Sequence, residues 1–294
     1  MVALWLLICI GVFGYYRTQR DRIELKLNKM GILLTASESG GYTARLNHDW
    51  LRGNEGTHPH AQEETLQIAG PLLAEYGDIH KIDFQGCPLQ NLDGLEMVTT
   101  LRQLDISYCP LKSVQGLREL TNLHTLNLAF CRSLKSIEGL ESLTALRTLD
   151  LSNCSALISL KGAQHLSRLD KLNLYGCTSL TILKELRGLT ELRALTVGNQ
   201  SLTQVDLTGC GALESIDGLV GSANLHTLNL HGCNSLKSLD VTNSALTTPC
   251  AHGGALIPLT TSACCCPHVR VCLQRNVLSV CPDKKTAWQV LSMC

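Results

Sequence analysis

Apolar residues through the middle of the chain fall at the first, fourth and sixth places of a stretch that recurs, with Cys at the ninth place. The block Leu123–Ala145, LHTLNLAFCRSLKSIEGLESLTA, aligns on Leu146–Arg168, LRTLDLSNCSALISLKGAQHLSR, and on Leu169–Glu191, LDKLNLYGCTSLTILKELRGLTE, with the Leu and Cys columns in step. Units open at Ile79, Leu101, Leu123, Leu146, Leu169, Leu192, Leu202 and Leu225, so the steps are 22, 22, 23, 23, 23, 10 and 23 residues. The apolar residues at the fourth and sixth places are two apart, the spacing of one face of a strand. The second half of each unit holds two or three more Leu or Ile positions. Ten residues are too few for a strand and a full return, so Leu192–Asn224 is expected to form one enlarged coil with its strand at Leu192 or Leu202.

The ends break the pattern. Val2–Tyr16, VALWLLICIGVFGYY, is an unbroken apolar run followed by Arg17, Arg20, Arg22, Lys26 and Lys29. It is shorter than the roughly 20 residues that span a bilayer, and it lacks the basic start and small-residue cleavage site of a secretory signal. It reads as a short anchor, as part of a capping helix over Val2–Leu34, or as a truncated start; as an anchor, its trailing cations would keep the repeats in the cytosol. The expected division is 1–30 anchor or N-terminal helix, 31–78 irregular cap region with a short helix at Thr65–Tyr76, 79–246 repeats, and 247–294 a Cys-rich irregular tail.

Composition agrees with a repeat protein. Leu supplies 56 of the 294 residues, while three Phe and three Trp are too few to knit a conventional large core. Lys+Arg and Asp+Glu are equal at 25 each, which argues against a nucleic-acid binder with a broad basic surface. No phosphate-binding loop, dinucleotide fingerprint or HExxH string occurs, so no enzyme, catalytic residue or cofactor is expected. His48, His58 and His60 read as exposed loop residues rather than metal ligands. The tail cysteines Cys250, Cys264, Cys265, Cys266, Cys272, Cys281 and Cys294, with His268, have ligand chemistry but no recognised zinc spacing; an unusual or frame-disturbed C-terminus explains them better.

Over Ile79–Leu246 the LxxLxLxxC pattern resembles the leucine-rich repeat family, and its wording, as in SLKSIEGLESLTALRTLDLSNC and GCGALESIDGL, looks like the Cys-bearing leucine-rich repeat proteins of trypanosomatids. At longer range it resembles the 22-residue repeats of phosphatase-regulatory members. The resemblance implies an α/β repeat, a leucine-rich repeat solenoid (horseshoe or arc) with parallel strands on the concave face and short helical or irregular returns. It also implies protein recognition, sometimes as the substrate-selecting part of a ubiquitin ligase, although neither a RING nor an F-box is present.

Cys87, Cys109, Cys131, Cys154, Cys177, Cys210 and Cys233 then form a ladder of buried thiols serving backbone groups of neighbouring coils. Coils about 4.8 Å apart suit van der Waals contact better than a disulfide of about 2.05 Å, and free thiols favour a reducing compartment. Outward columns run Asp83, Asp105, Asn127, Asp150, Asn173, Thr196, Asp206, Asn229 at the fifth place and His80, Arg102, His124, Arg147, Asp170, Arg193, Thr203, His226 at the second. They are either a solvated, self-pairing face or a recognition strip. Arg102, Tyr108, Phe130, Arg147 and Tyr175 are the candidate partner-binding residues, since aromatics beside Arg are enriched in binding hot spots; packing of the rim accounts for the same aromatics. The expected function is a non-enzymatic scaffold, cytoplasmic or anchored through residues 2–16, that binds a protein on its concave face. The alternative is a membrane-anchored surface receptor or adhesin glycosylated at Asn199 in the string Asn199-Gln-Ser.

Overall fold

The computed structural model describes residues 17–38, 40–47, 61–219 and 222–239, with short stretches at 251–252, 255–256, 270–274 and 277–281. Residues 17–29 form helix α1. Strands β1 (Ile32–Ala36) and β2 (Tyr42–Leu46) make an antiparallel hairpin, and helix α2 (Ala61–Tyr76) carries the chain to β3 (Ile79–Asp83), which runs parallel to β2. Leu27, Ile32, Ala44 and Leu73 are fully buried, so helix and hairpin cover the Leu ridge that an open solenoid end would expose. The described parts of 31–78 are thus more regular than the sequence suggests. Five-residue strands joined through Gly40 and Gly41 are too short to show a period.

The repeats follow as β4 (Gln103–Asp105), β5 (Thr125–Asn127), β6 (Thr148–Asp150) and β7 (Lys171–Asn173), each parallel to the one before. Beyond β7 the chain alternates between two walls. Strands β9 (Ala194–Thr196), β11 (Ser215–Asp217) and β13 (Ser238–Leu239) extend the main sheet, which holds ten strands counting β1 and β2. Strands β8 (Ile182–Leu183), β10 (Gln204–Asp206) and β12 (Thr227–Asn229) form a second parallel sheet on the return wall. The first and fourth places of each coil point inward: Leu101, Leu104, Leu123, Leu126, Leu146 and Leu149 are at most 1 % exposed.

Both LxxLxL copies around the short step are strands, which corrects the expected enlarged coil. Register pairs Lys81, Gln103, Thr125, Thr148, Lys171, Ala194, Ser215 and Ser238 across the main sheet, so its steps are 22, 22, 23, 23, 23, 21 and 23 residues. No coil is long. Leu169 to Leu202 is 33 residues, one and a half coils, and the repeated text therefore lands on the opposite wall. Leu faces inward on both walls, and a parallel neighbour is available on both, so either wall accepts the same LxxLxL.

Candidate functional site

The turns leaving strands β4, β5, β6 and β7 are built the same way. The fifth-place side chain accepts the backbone N–H two residues on: Asp105 Oδ1 from Ser107 at 3.0 Å, Asn127 Oδ1 from Ala129 at 3.0 Å, Asp150 Oδ1 from Ser152 at 2.8 Å and Asn173 Oδ1 from Tyr175 at 3.1 Å. These are Asx turns. Coils are joined in pairs as well, Asn127 Nδ2 donating to Asp105 Oδ2 (2.9 Å) and Asn173 Nδ2 to Asp150 Oδ2 (3.2 Å). Much of the Asp/Asn column is therefore occupied in holding turns.

The eighth place is left-handed. Gly86, Gly176, Gly209 and Gly232 have φ of 71°, 74°, 81° and 80°, while Tyr108, Phe130 and Asn153 sit there at 62°, 61° and 59°. Glycine enters this region freely, whereas a side chain raises the energy by about 1–2 kcal/mol. Tyr108 and Phe130 nevertheless project from it, stacked at 4.4 Å between ring centroids and 7° between planes, with the Arg132 guanidinium 5.8 Å from the Phe130 centroid. Tyr108 is 53 % exposed.

Tyr175 does not join them. It stands at the seventh place, two coils from Phe130 and 55 % exposed, and its ring packs over Gly198, where a Cβ would approach Tyr175 Cδ2 to 2.3 Å. Arg102 and Arg147 are exposed at the opposite end of the strands, ahead of β4 and β6 rather than in the turns that follow them. The five candidate residues thus share one face but divide into an Arg edge and an aromatic edge.

Behind the turns the ninth-place thiols are buried and free. Cys131 Sγ donates to Ile106 O at 3.4 Å, Cys154 to Leu128 O at 3.1 Å and Cys177 to Leu151 O at 3.1 Å, each one coil back. Cys210 and Cys233 repeat the bond to Leu186 O (3.2 Å) and Leu207 O (3.1 Å), but on the return wall with β10 and β12. The expected single ladder is two columns, and Thr203, Asp206, His226 and Asn229 leave the main face with the second. Burial pushes the Cys154 and Cys177 thiols up to about 12 and Cys210 to about 11, and it also raises Cys131. Cys87 is raised by its contact with Cys109 and by burial.

Asn199 ends the main-sheet ladder. It is 3 % exposed, and its Nδ2 donates to Cys177 O at 2.6 Å and Leu180 O at 2.5 Å. A nitrogen so engaged is no acceptor for a glycan in the folded chain, which removes the glycosylation expected of the alternative reading. The period alone misses this role, because β9 has a turn one residue shorter than its predecessors and lacks the Cys.

Residues 99–142 and 121–165 match the family model "Leucine Rich repeats (2 copies)", and residues 147–244 match "Endo-beta-N-acetylglucosaminidase EndoS LRR domain". The repeats are leucine-rich repeats. No curated protein matches the chain. Among solved structures the leucine-rich repeat chain is similar to internalin C2 of Listeria monocytogenes, with 20 % identity over 63 % of this chain and 90 % of that one at a TM-score of 0.45. It is similar to a chain of the Toll–Spätzle complex of Drosophila at 17 % identity over 60 % and 25 %, TM-score 0.49. It is also similar to the functional domain of InlJ from Listeria monocytogenes, which includes a cysteine ladder, at 16 % identity over 60 % and 46 %, TM-score 0.35. The chain spans under half the length of the last two.

Among the described residues no helix is long and apolar enough to cross a membrane, and no cluster of three metal-ligating side chains occurs. Val2–Tyr16, His48, His58, His60, Cys250, Cys264, Cys265, Cys266, His268 and Cys294 lie outside the described residues. Cys272 and Cys281 fall on the paired strands Arg270–Gln274 and Val277–Cys281.

Proposed function

We propose that the chain is a non-enzymatic scaffold that binds a protein partner on the main-sheet face, with the Tyr108–Phe130 pair as the apolar anchor. The carrying observation is that two aromatic rings occupy left-handed positions where four other coils use glycine, and one of them is more than half exposed. Backbone strain retained without full burial in return points to a role outside the fold, and exposed aromatics beside Arg132 are suited to a binding centre. Tyr175 and the Arg102 and Arg147 edge extend the same face. Leucine-rich repeat scaffolds are consistent with protein–protein interaction. The reading places the repeats in the cytosol, anchored if Val2–Tyr16 inserts in a membrane. Free ladder thiols and a buried Asn199 agree with that side better than with a glycosylated surface.

The test is affinity capture by the tagged full chain, comparing wild type, Tyr108→Gly with Phe130→Gly, and the return-wall control Ile158→Ser. A partner held by wild type and the control but lost by the double variant supports the reading. Equal capture by all three overturns it.

A further inference from the structure

The second-place residues of the main sheet form an unbroken column. Backbone bonds tie Arg102 N to His80 O (2.9 Å), His124 N to Arg102 O (2.8 Å), Arg147 N to His124 O (2.9 Å) and Asp170 N to Arg147 O (2.8 Å), and continue through Arg193, Glu214 and Lys237. The last four neutralise one another: Arg193 Nε lies 3.8 Å from Asp170 Oδ1, and Lys237 pairs with Glu214. The first four do not. His80, Arg102, His124 and Arg147 stand on successive rungs, and none of them is ion-paired among the described residues. Thr100, Asn122 and Ala145 lie two residues before the last three of them, and Gln103, Thr125 and Thr148 follow, so those three are flanked by neutral residues, while His80 stands between Asp78 and Lys81. In a chain with equal acids and bases, half of one column is self-compensated and the other half is left cationic.

We propose that this strip docks an acidic α-helix of the protein partner, its carboxylates lying along the solenoid axis opposite His80, Arg102, His124 and Arg147. The inference rests on the strand-face reading above and adds the chemistry of the partner. Spacing selects the helix. Rungs about 4.8 Å apart put the four residues over about 14 Å, and acidic residues at i, i+3, i+7 and i+10 of a helix cover about 15 Å. Alternate residues of an extended strand would need about 20 Å. A nucleic acid is disfavoured because phosphates on both sides of its backbone would spread across the face onto Asp83, Asp105 and Asp150, whereas a helix lying along the column keeps its carboxylates on the rungs.

Histidine geometry adds a second feature. His124 Nδ1 lies 2.6 Å from Asn122 O, and His80 Nδ1 lies 3.2 Å from Gly40 O. A carbonyl only accepts, so Nδ1 carries the hydrogen and Nε2 is the ring atom left to a ligand. Around His124 the charged groups are Arg102 and Asp105 on the coil before and Arg147 and Asp150 on the coil after. Around His80 they are Lys81, Asp83 with its partner Arg45, Asp78 with its partner Arg20, and Arg102.

The experiment titrates the isotope-labelled full chain with a stapled helical peptide bearing Glu at i, i+3, i+7 and i+10, and with its Gln counterpart, following Arg Nε–Hε and His ring resonances. The Glu peptide is expected to shift Arg102, Arg147 and His124 and to bind at least tenfold tighter than the Gln peptide. Arg102→Gln with Arg147→Gln should lower affinity at least tenfold, and Arg193→Gln less than twofold. Equal binding of both peptides with shifts at Tyr108 and Phe130 would overturn acidic recognition and leave the strand-face reading standing. Unchanged binding by the Arg double variant, no shift by either peptide, or tighter binding of a single-stranded oligonucleotide at the same resonances would overturn the proposal. The aromatic double variant tests the face independently. All substituted side chains are outward, and an unchanged thermal midpoint verifies the fold.

Discussion

At Tyr108 the backbone asks for glycine and the surface holds an aromatic, so two substitutions separate the two demands. Tyr108→Gly relieves about 1–2 kcal/mol of left-handed strain and forfeits about 0.5–1.5 kcal/mol of stacking on Phe130. Its urea midpoint should stay close to the parent. Tyr108→Ala keeps the strain and loses the stacking, so it should be the less stable of the two; an alanine variant as stable as the glycine one would contradict the left-handed assignment. Asn199 makes the converse case. Asn199→Ala leaves the Cys177 and Leu180 carbonyls buried without this donor, a cost of about 1–3 kcal/mol readable in the same denaturation curves. The sequence announces the Asp/Asn column as outward and the aromatics as rim residues. It does not announce which serve the turn, because an Asx bond depends on the backbone two residues on and not on the repeat text.

Single strands tell more. Leu149 is 1 % exposed and pairs in register with Leu126 and Leu172, so Leu149→Ala should cost about 2–5 kcal/mol. Arg147→Ala, on the outer side of the same strand, should leave stability nearly unchanged, and melting curves of the two variants test the inward register. The thiol columns predict a dependence on alkali. Cys154 and Cys177 rise from 9.0 to about 12 in the folded chain, so the fold holds protons that the unfolded chain releases. Stability is then fully present below about pH 9 and is lost as pH climbs toward 12. Urea midpoints should be level from pH 7 to 8.5 and fall above 9, and Cys154→Ala with Cys177→Ala should make that fall shallower. The same thiols should resist alkylation at pH 8 until the chain is denatured. Strand, inward Leu and buried Cys were all legible in LxxLxLxxC, since each recurs at a fixed place of the repeat.

What was not legible is where a strand sits in the cross-section. The repeat text fixes which side chains turn inward, but Leu lines both walls, and the wall is set by how much chain has gone by. Deleting Leu192–Ser201 shortens the 33 residues between Leu169 and Leu202 to a single coil. Strand β10 should then move from the return wall into the main sheet beside β7, with Asp206 next to Asn173. A designed pair reads this out. In the parent, Asn173→Cys and Asp206→Cys lie in separate sheets and should not cross-link. In the deletion they would be lateral neighbours about 4.8 Å apart, within the Cα range of about 4.4–6.8 Å that a disulfide spans. Oxidation followed by mass mapping distinguishes the two. A cross-link in the parent, or its absence from a folded deletion variant, would mean that something other than chain length assigns the walls. The charged strip follows the same rule: its four rungs precede the half-coil step, so the deletion should leave acidic-helix docking intact while the two thiol columns merge into one.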